Sequence, residues 1–284
     1  MEKGKQPQGG IWHGDGYSVG AVSTFFSTVL TFPIYKTIFR QQLHTLTIRA
    51  ASRQLVAEGM FHLYRGLAPP LVAKTVQGTL LFGSQGTFQQ LLSGRKKAEH
   101  WHRGLSGLLS GALEAIVLVP FERVQNILQD SRHNTRFPSA LSIVQEFKSY
   151  SIQNRFTFGI YRGFSVILAR NALGSALYFF LKDPLRDALS TNTVPLWVPS
   201  LASGAVNGAF TSLVLYPLSV LVSNMQADVG KELPSSKKVA KAVWTQCGGR
   251  VFLLYRGASL IVLRSCITWG VTTAIHDALR GRNM

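Results

Sequence analysis

The chain has 284 residues, of which 46% are hydrophobic and only 15% charged, yet its formal net charge is +17. A soluble nucleic-acid-binding protein of that charge would gather many more ionised residues into runs or patches, so no nucleic-acid partner is expected. Two cysteines, Cys247 and Cys266, offer neither a disulfide framework nor metal-ligand spacing and are expected as a reduced, packed pair.

Taken in chain order, the first 16 residues have neither the apolar core of a signal peptide nor an Arg-rich amphipathic pattern, so any targeting information is expected to be internal. Charges are then excluded from long stretches. Residues 16–35 have none, 67–92 only Lys74, 104–121 only Glu114, and 163–181 only Arg170. Nothing between Asp187 and Asp228 is charged, and 257–276 hold only Arg264. Each window approaches or exceeds the about 20 residues that a helix needs to cross a bilayer. The prediction is an all-α membrane protein with six transmembrane helices.

The windows are organised by a threefold repeat, assigned as 1–98, 99–193 and 194–284. Tyr-Arg-Gly occurs at Tyr64, Tyr161 and Tyr255. Each odd window holds a proline (Pro33, Pro120, Pro217), with a glutamine nine residues later (Gln42, Gln129, Gln226) and a glycine thirteen residues earlier (Gly20, Gly107, Gly204). One unit therefore reads as an apolar helix kinked at proline, a polar amphipathic segment, and a second apolar helix opened by Tyr-Arg-Gly. Small residues four apart, as in Gly16/Gly20, Gly107/Gly111 and Gly204/Gly208, suit close helix packing in lipid. The "GDGYSVG" stretch at Gly14 lacks the spacing and the preceding strand of a phosphate loop and is assigned to such packing. Segments after the first and third odd helices are basic: four arginines against Glu58 in 40–65 give +3, and six Lys/Arg against Asp228 and Glu232 in 226–256 give +4. They are expected on one side of the membrane.

With "LTFPIYKTIFRQQ", "PFERVQNILQD", "ALYFFLKDP" and "LRSCITWG" in this register, the chain resembles the mitochondrial carrier family over nearly its whole length. Within that family it looks most like an orphan member and the nearby branch that holds the mitochondrial NAD transporter. The resemblance implies a pseudo-threefold bundle with short matrix helices, a central cavity open alternately to either side of the inner membrane, and a functional monomer. It also implies cardiolipin at the starts of the even helices, assigned to Arg65/Gly66, Arg162/Gly163 and Arg256/Gly257, with helix capping and an interfacial Tyr-Arg belt as the alternative.

The family's matrix gate pairs an acid two residues after each proline with a base five after it. Here those positions read Tyr35, Glu122, Ser219 and Ile38, Gln125, Val222, so no complete pair can form and the three glutamines have no such bridge to brace. Glu122 could turn to Lys36, Arg40 or Arg123. The cytoplasmic gate reads Gly86, Asp183, Asp277 against Gln89, Arg186, Arg280. Family pairing implies an Asp183–Arg280 bridge, a weaker Asp277–Gln89 contact, and an Arg186 facing only Gly86.

Ionisable residues in mid-membrane are functional candidates by default. Lys74, Arg170 and Arg264 lie seven or eight residues after the motif glycines, at positions where the family contacts substrate. Three cations at one depth should attract an anion, with carboxylate or phosphate held bidentately by the arginines; snorkelling or pairing with Glu114 is the alternative. Glu114 would recognise a positive group on the solute or neutralise an arginine. Asn171 beside Arg170 fits both carboxylate-type solutes and the NAD-transporting branch, and Trp269 and Tyr178 could stack on a base. The reading is a carrier of a small anionic metabolite, best a nucleotide-type solute such as NAD, with a carboxylate or keto-acid carrier and a degenerate leak or scaffold as alternatives. No HExxH, P-loop or nucleophile elbow is present and the histidines are scattered, so no catalytic site, metal or cofactor is expected.

Overall fold

The computed structural model describes residues 14–94, 99–190, 197–230 and 234–280, with side chains described for most residues within 25–268 and for Val271. Trp269, Asp277, Arg280 and the Gly16/Gly20 pair lie outside that side-chain account. No strand occurs among the described residues.

The first repeat contributes α1 (Gly14–His44), the short α2 (Ile48–Ala57) and α3 (Ala68–Ser93). The second contributes α4 (His100–Gln129), α5 (Ala140–Ser149) and α6 (Phe164–Leu189). The third contributes α7 (Trp197–Val214), α8 (Tyr216–Ala227), α9 (Ser236–Gln246) and α10 (Ala258–Arg280).

The long helices form a closed ring in which α3 packs on α4, α4 on α6, α6 on α7, α7 on α10 and α10 on α1; α1 and α3 touch least. At one end α1, α4 and α8 converge and close the bundle. Among the described residues α4, α6 and the stretch Val251–Thr268 are long and apolar enough to cross a membrane, and the bent α7–α8 pair would make a fourth span.

The surface chemistry is that of a protein in lipid. Phe25, Phe26, Leu30, Ile116, Phe180 and Phe210 face outward, whereas Thr28, Ser106, Ser110, Glu114, Asn126 and Asn207 are buried. Without a hydrophobic force between helices, close packing and internal hydrogen bonds must hold the ring. At Gly111 an added Cβ would lie 2.3 Å from the carbonyl oxygen of Asn171, so α4 and α6 approach to backbone contact. Gly208 has open space instead, so the small-residue reading does not extend to the third odd helix.

The three short helices are one motif written three times. Thr47, Ser139 and Ser235 cap them by accepting a backbone N–H three residues on. Each buries one stripe at i, i+4: Ala51/Leu55, Ile143/Phe147 and Val239/Val243.

The prolines behave unequally. α1 and α4 pass through Pro33 and Pro120 without interruption, whereas the third odd helix breaks at Leu215, with α7 and α8 inclined at 66°. Pro120 has no N–H for the carbonyl of Ile116, and the hydroxyl of Tyr161 supplies that donor at 3.1 Å. At the break, Leu215 N–H still reaches Thr211 O at 3.0 Å and Ser219 N–H reaches Leu215 O at 3.1 Å.

Tyr-Arg-Gly recurs because each letter makes a different contact. The tyrosine packs within its own repeat beside the odd-helix proline, as in the Phe32–Tyr64 and Tyr216–Tyr255 stacks at 6.3 and 5.5 Å. The arginine reaches the following repeat: Arg65 to Asn134 and the carbonyls of His133 and Phe137, Arg162 to Met225 O at 2.7 Å, and Arg256 to Thr45 O. The glycine takes a positive φ (+89° at Gly66, +75° at Gly163, +97° at Gly257) where a Cβ would press on a neighbour. Arg65 and Arg162 are buried, and their guanidiniums tie one repeat to the next. Cys247 is buried and Cys266 exposed, so the expected packed cysteine pair is absent.

Gly257→Ala should destabilise by more than Gly59→Ala. Both need a positive φ, worth about 1–3 kcal/mol of strain, but only at Gly257 would the new Cβ meet atoms, 2.8 Å from Tyr216 Oη and 3.0 Å from Gln41 Oε1. Melting temperatures of the two variants in detergent would show the difference; equal losses would mean the contact is unimportant.

Candidate functional site

A cavity of about 440 Å³ opens inside the ring. Along α4, Glu114, Leu118, Glu122 and Gln125 follow each other at helical spacing and all face it. Lys74 enters from α3, Arg170 and Asn171 from α6, and Arg264 from α10. The wall from α7 and α8 is uncharged: Gly208, Thr211, Ser212 and Ser219. The five residues read as substrate-contacting from the sequence therefore share one chamber, and so does Tyr178.

Their partners differ from expectation. Lys74 Nζ donates to Thr28 Oγ1 at 3.0 Å. Glu114 accepts a 2.6 Å bond from Gln77 Nε2 and pairs with no arginine. Gln77 is three residues after Lys74 on the same helix face, so it was legible from spacing but passed over.

Arg170 grips Glu122 with both terminal nitrogens, at 2.7 Å each, and is steadied by Asn171 Oδ1 at 2.8 and 3.0 Å. Arg264 lies 5.8 Å over the ring of Tyr35, and its buried Nε has no hydrogen-bond partner. The three partners expected for Glu122 are taken elsewhere. Lys36 donates to His62 O, Arg40 binds Glu58 at 2.5 and 2.6 Å, and Arg123 donates to the carbonyls of Gly159, Gln226 and Asp228. Arg123 is one residue from Glu122, about 100° round the helix, and so faces away from the cavity.

Tyr35, Glu122, Arg170 and Arg264 also roof a second chamber of about 110 Å³ that reaches Gln42, Asn126 and Ser223. Below the gate level the three glutamines have separate surroundings. Gln42 accepts from Ser223 Oγ at 2.8 Å, and Gln226 accepts from Asn126 Nδ2 at 2.5 Å. Gln129 is fully buried with neither amide atom bonded.

At the other end Asp183 bonds Arg103, with Arg186 at 3.5 Å, while Arg186 also reaches Asp187 at 3.0 Å. Arg186 thus faces acids on its own helix, not only Gly86, because a partner three residues away needs no movement of the bundle. Gln89 accepts from Gln85 at 2.7 Å. The expected bridge to Arg280 and the contact with Asp277 fall outside the described side chains.

The family model described as "Mitochondrial carrier protein" matches residues 96–193 and 195–282. The chain belongs to the mitochondrial carrier family. Among curated relatives, human solute carrier family 25 member 53 is 54% identical over 273 residues, spanning 96% of this chain and 89% of that protein. The human mitochondrial nicotinamide adenine dinucleotide transporter SLC25A51 is 35% identical, covering 93% of this carrier and 88% of the relative. A probable mitochondrial 2-oxodicarboxylate carrier of Schizosaccharomyces pombe is 24% identical over 93% of the chain and 92% of that protein. The carrier is accordingly a mitochondrial membrane transporter of this family.

Outside the spans, burial raises the Glu58 carboxyl but the bond and charge of Arg40 outweigh it, holding it below the ordinary 4.5. A depressed acid contributes stability above its ordinary value and loses it as pH falls through the folded one. The melting temperature should therefore drop on acidification below about pH 4.5, and Glu58→Gln should flatten that limb in a pH series while lowering stability at pH 7.

Proposed function

We propose that this carrier is a monomeric, six-span, alternating-access transporter of the mitochondrial inner membrane that moves an anionic nucleotide-type solute such as NAD. The observation that carries the reading is the cation set of the cavity. Lys74 and Arg264 have no carboxylate partner among the described residues and face one chamber with Arg170. A pyrophosphate would satisfy them, and Glu114 is placed to meet a cationic ring. About 440 Å³ is a volume suited to a small-molecule ligand. Similarity to a transporter named for nicotinamide adenine dinucleotide supports the same solute class.

The Glu122–Arg170 pair at the matrix end and the Asp183 cluster at the other serve as gates in this reading, with Pro33, Pro120 and Pro217 beside the matrix one. Cardiolipin phosphates dock on backbone N–H groups at the even-helix starts, next to Gly66, Gly163 and Gly257, since the motif arginines are committed to carbonyls.

Thermal stability of the detergent-purified carrier against NAD, NADH, ADP, ATP, coenzyme A and di- and tricarboxylates tests the solute. A ligand at a hundred times its dissociation constant stabilises by about 2.7 kcal/mol. NAD is expected to raise the melting temperature, and Lys74→Ala and Arg264→Ala should abolish the shift. Stabilisation by dicarboxylates alone would assign a carboxylate carrier. A response to cardiolipin and to no solute would indicate a degenerate member.

A further inference from the structure

Six residues after each odd-helix proline stand Phe39, Asn126 and Ser223, and nine after it stand the three glutamines. In two of the three corners of the closed end these positions pair by one rule. Ser223 Oγ of α8 donates to Gln42 of α1 at 2.8 Å, and Asn126 Nδ2 of α4 donates to Gln226 of α8 at 2.5 Å. The cycle would close with a donor on α1 serving Gln129 of α4. That place holds Phe39, which is buried and packs on Leu43 and Ala227. A phenyl ring offers no donor. Gln129 is fully buried, and neither of its amide atoms has a protein partner among the described residues. Arg65, Arg162 and Arg256 tie all three repeat junctions, but the junction of the first and second repeats has no such amide pair to add to its arginine.

We infer that the closed end opens first at the corner between α1 and α4, and that Phe39 is the residue that fixes this order. A buried amide without partners is penalised in the closed state and relieved once water reaches it. The Gln42 and Gln226 amides lose a hydrogen bond in the same movement. Opening is thus favoured at one corner and opposed at the other two. Arg65 stays bound to Asn134 and the Phe137 carbonyl at the rim of the first corner, so α1 and α4 part on the inner side about a retained tie. A frame written three times in the sequence therefore opens in sequence and not all at once. The inference rests on the alternating-access reading above and not on the identity of the solute.

Two measurements on the detergent-purified full chain test this, and neither needs a solute. Gln129→Met, similar in shape but without the amide, should raise the melting temperature, whereas Gln42→Met and Gln226→Met, which break pairs, should lower it. Hydrogen exchange then locates the opening. Backbone amides in the last turn of α4 (126–129) should show protection factors about tenfold lower than those in the last turn of α8 (223–226), equivalent to about 1.4 kcal/mol. Gln129→Met should bring the two turns together. Phe39→Asn should raise the protection of the α4 turn in the parent and not in Gln129→Met; should the smaller side chain prevent folding, Phe39→His keeps a ring, adds a donor and carries the same expectation. A lower melting temperature for Gln129→Met, or equal protection of the two turns in the parent, overturns the inference. Equal protection in a carrier that NAD stabilises removes this inference alone and leaves the proposed function standing.

Discussion

Everything in this carrier hangs on how three even-helix starts are fastened to three odd-helix ends. Each fastening is an arginine donating to the following repeat: Arg65 into the segment after α4, Arg162 to Met225 of α8, Arg256 to Thr45 after α1. The order is cyclic, so the last repeat is tied to the first and the ring closes. A donor held against carbonyls in a protein interior is costly to release, because both sides of the bond would be left unsatisfied. The glycine after each arginine lets the backbones approach closely enough for the tie. With the closed end fixed in this way, the cavity above it can be lined with charges that would otherwise have to be solvated.

Much of this was legible in the sequence, for physical reasons. Charge-free windows show where lipid faces the chain, and prolines, glutamines and Tyr-Arg-Gly in one register show the repeat. Lys74, Arg170 and Arg264 stood out because ions in such windows need a reason to be there. Partners were harder. Glu122 has three cations near it in the sequence or on the adjoining helix turns, and a pairing with Arg170 depends on which face α6 presents, which no local spacing encodes. The carbonyl partners of the motif arginines were hidden for a related reason: a basic residue at a helix start suits a lipid phosphate and a buried carbonyl equally well, and no spacing tells the two apart. The break at Leu215 was also hidden, since Pro217 sits in the same register as Pro33 and Pro120. One difference visible in space is the Tyr161 hydroxyl, which serves the carbonyl that Pro120 leaves unpaired.

The cavity and its floor illustrate an economy of charge. In low dielectric each ion needs a counter-charge or a dense set of dipoles. Arg170 has Glu122 and Asn171, Lys74 has a threonine hydroxyl, Glu114 has an amide, and Arg264 has only an aromatic face. The ions are therefore graded by how well they are satisfied, and the least satisfied are the two cations that face the open chamber. Such a gradient directs an incoming anion to one part of the wall before any movement of helices.

The uncharged third wall has a consequence of its own. Gly208, Thr211, Ser212 and Ser219 bring hydroxyls and open space but no formal charge, while every ion of the cavity projects from the other helices. The recurrence of motifs along the chain is thus not repeated in the electric field inside the ring. A solute with one charged end and one neutral end meets a polarised slot and enters in a single orientation. In chemical terms the threefold frame carries a handed receptor, able to tell apart the two ends of a molecule that the frame alone would treat alike.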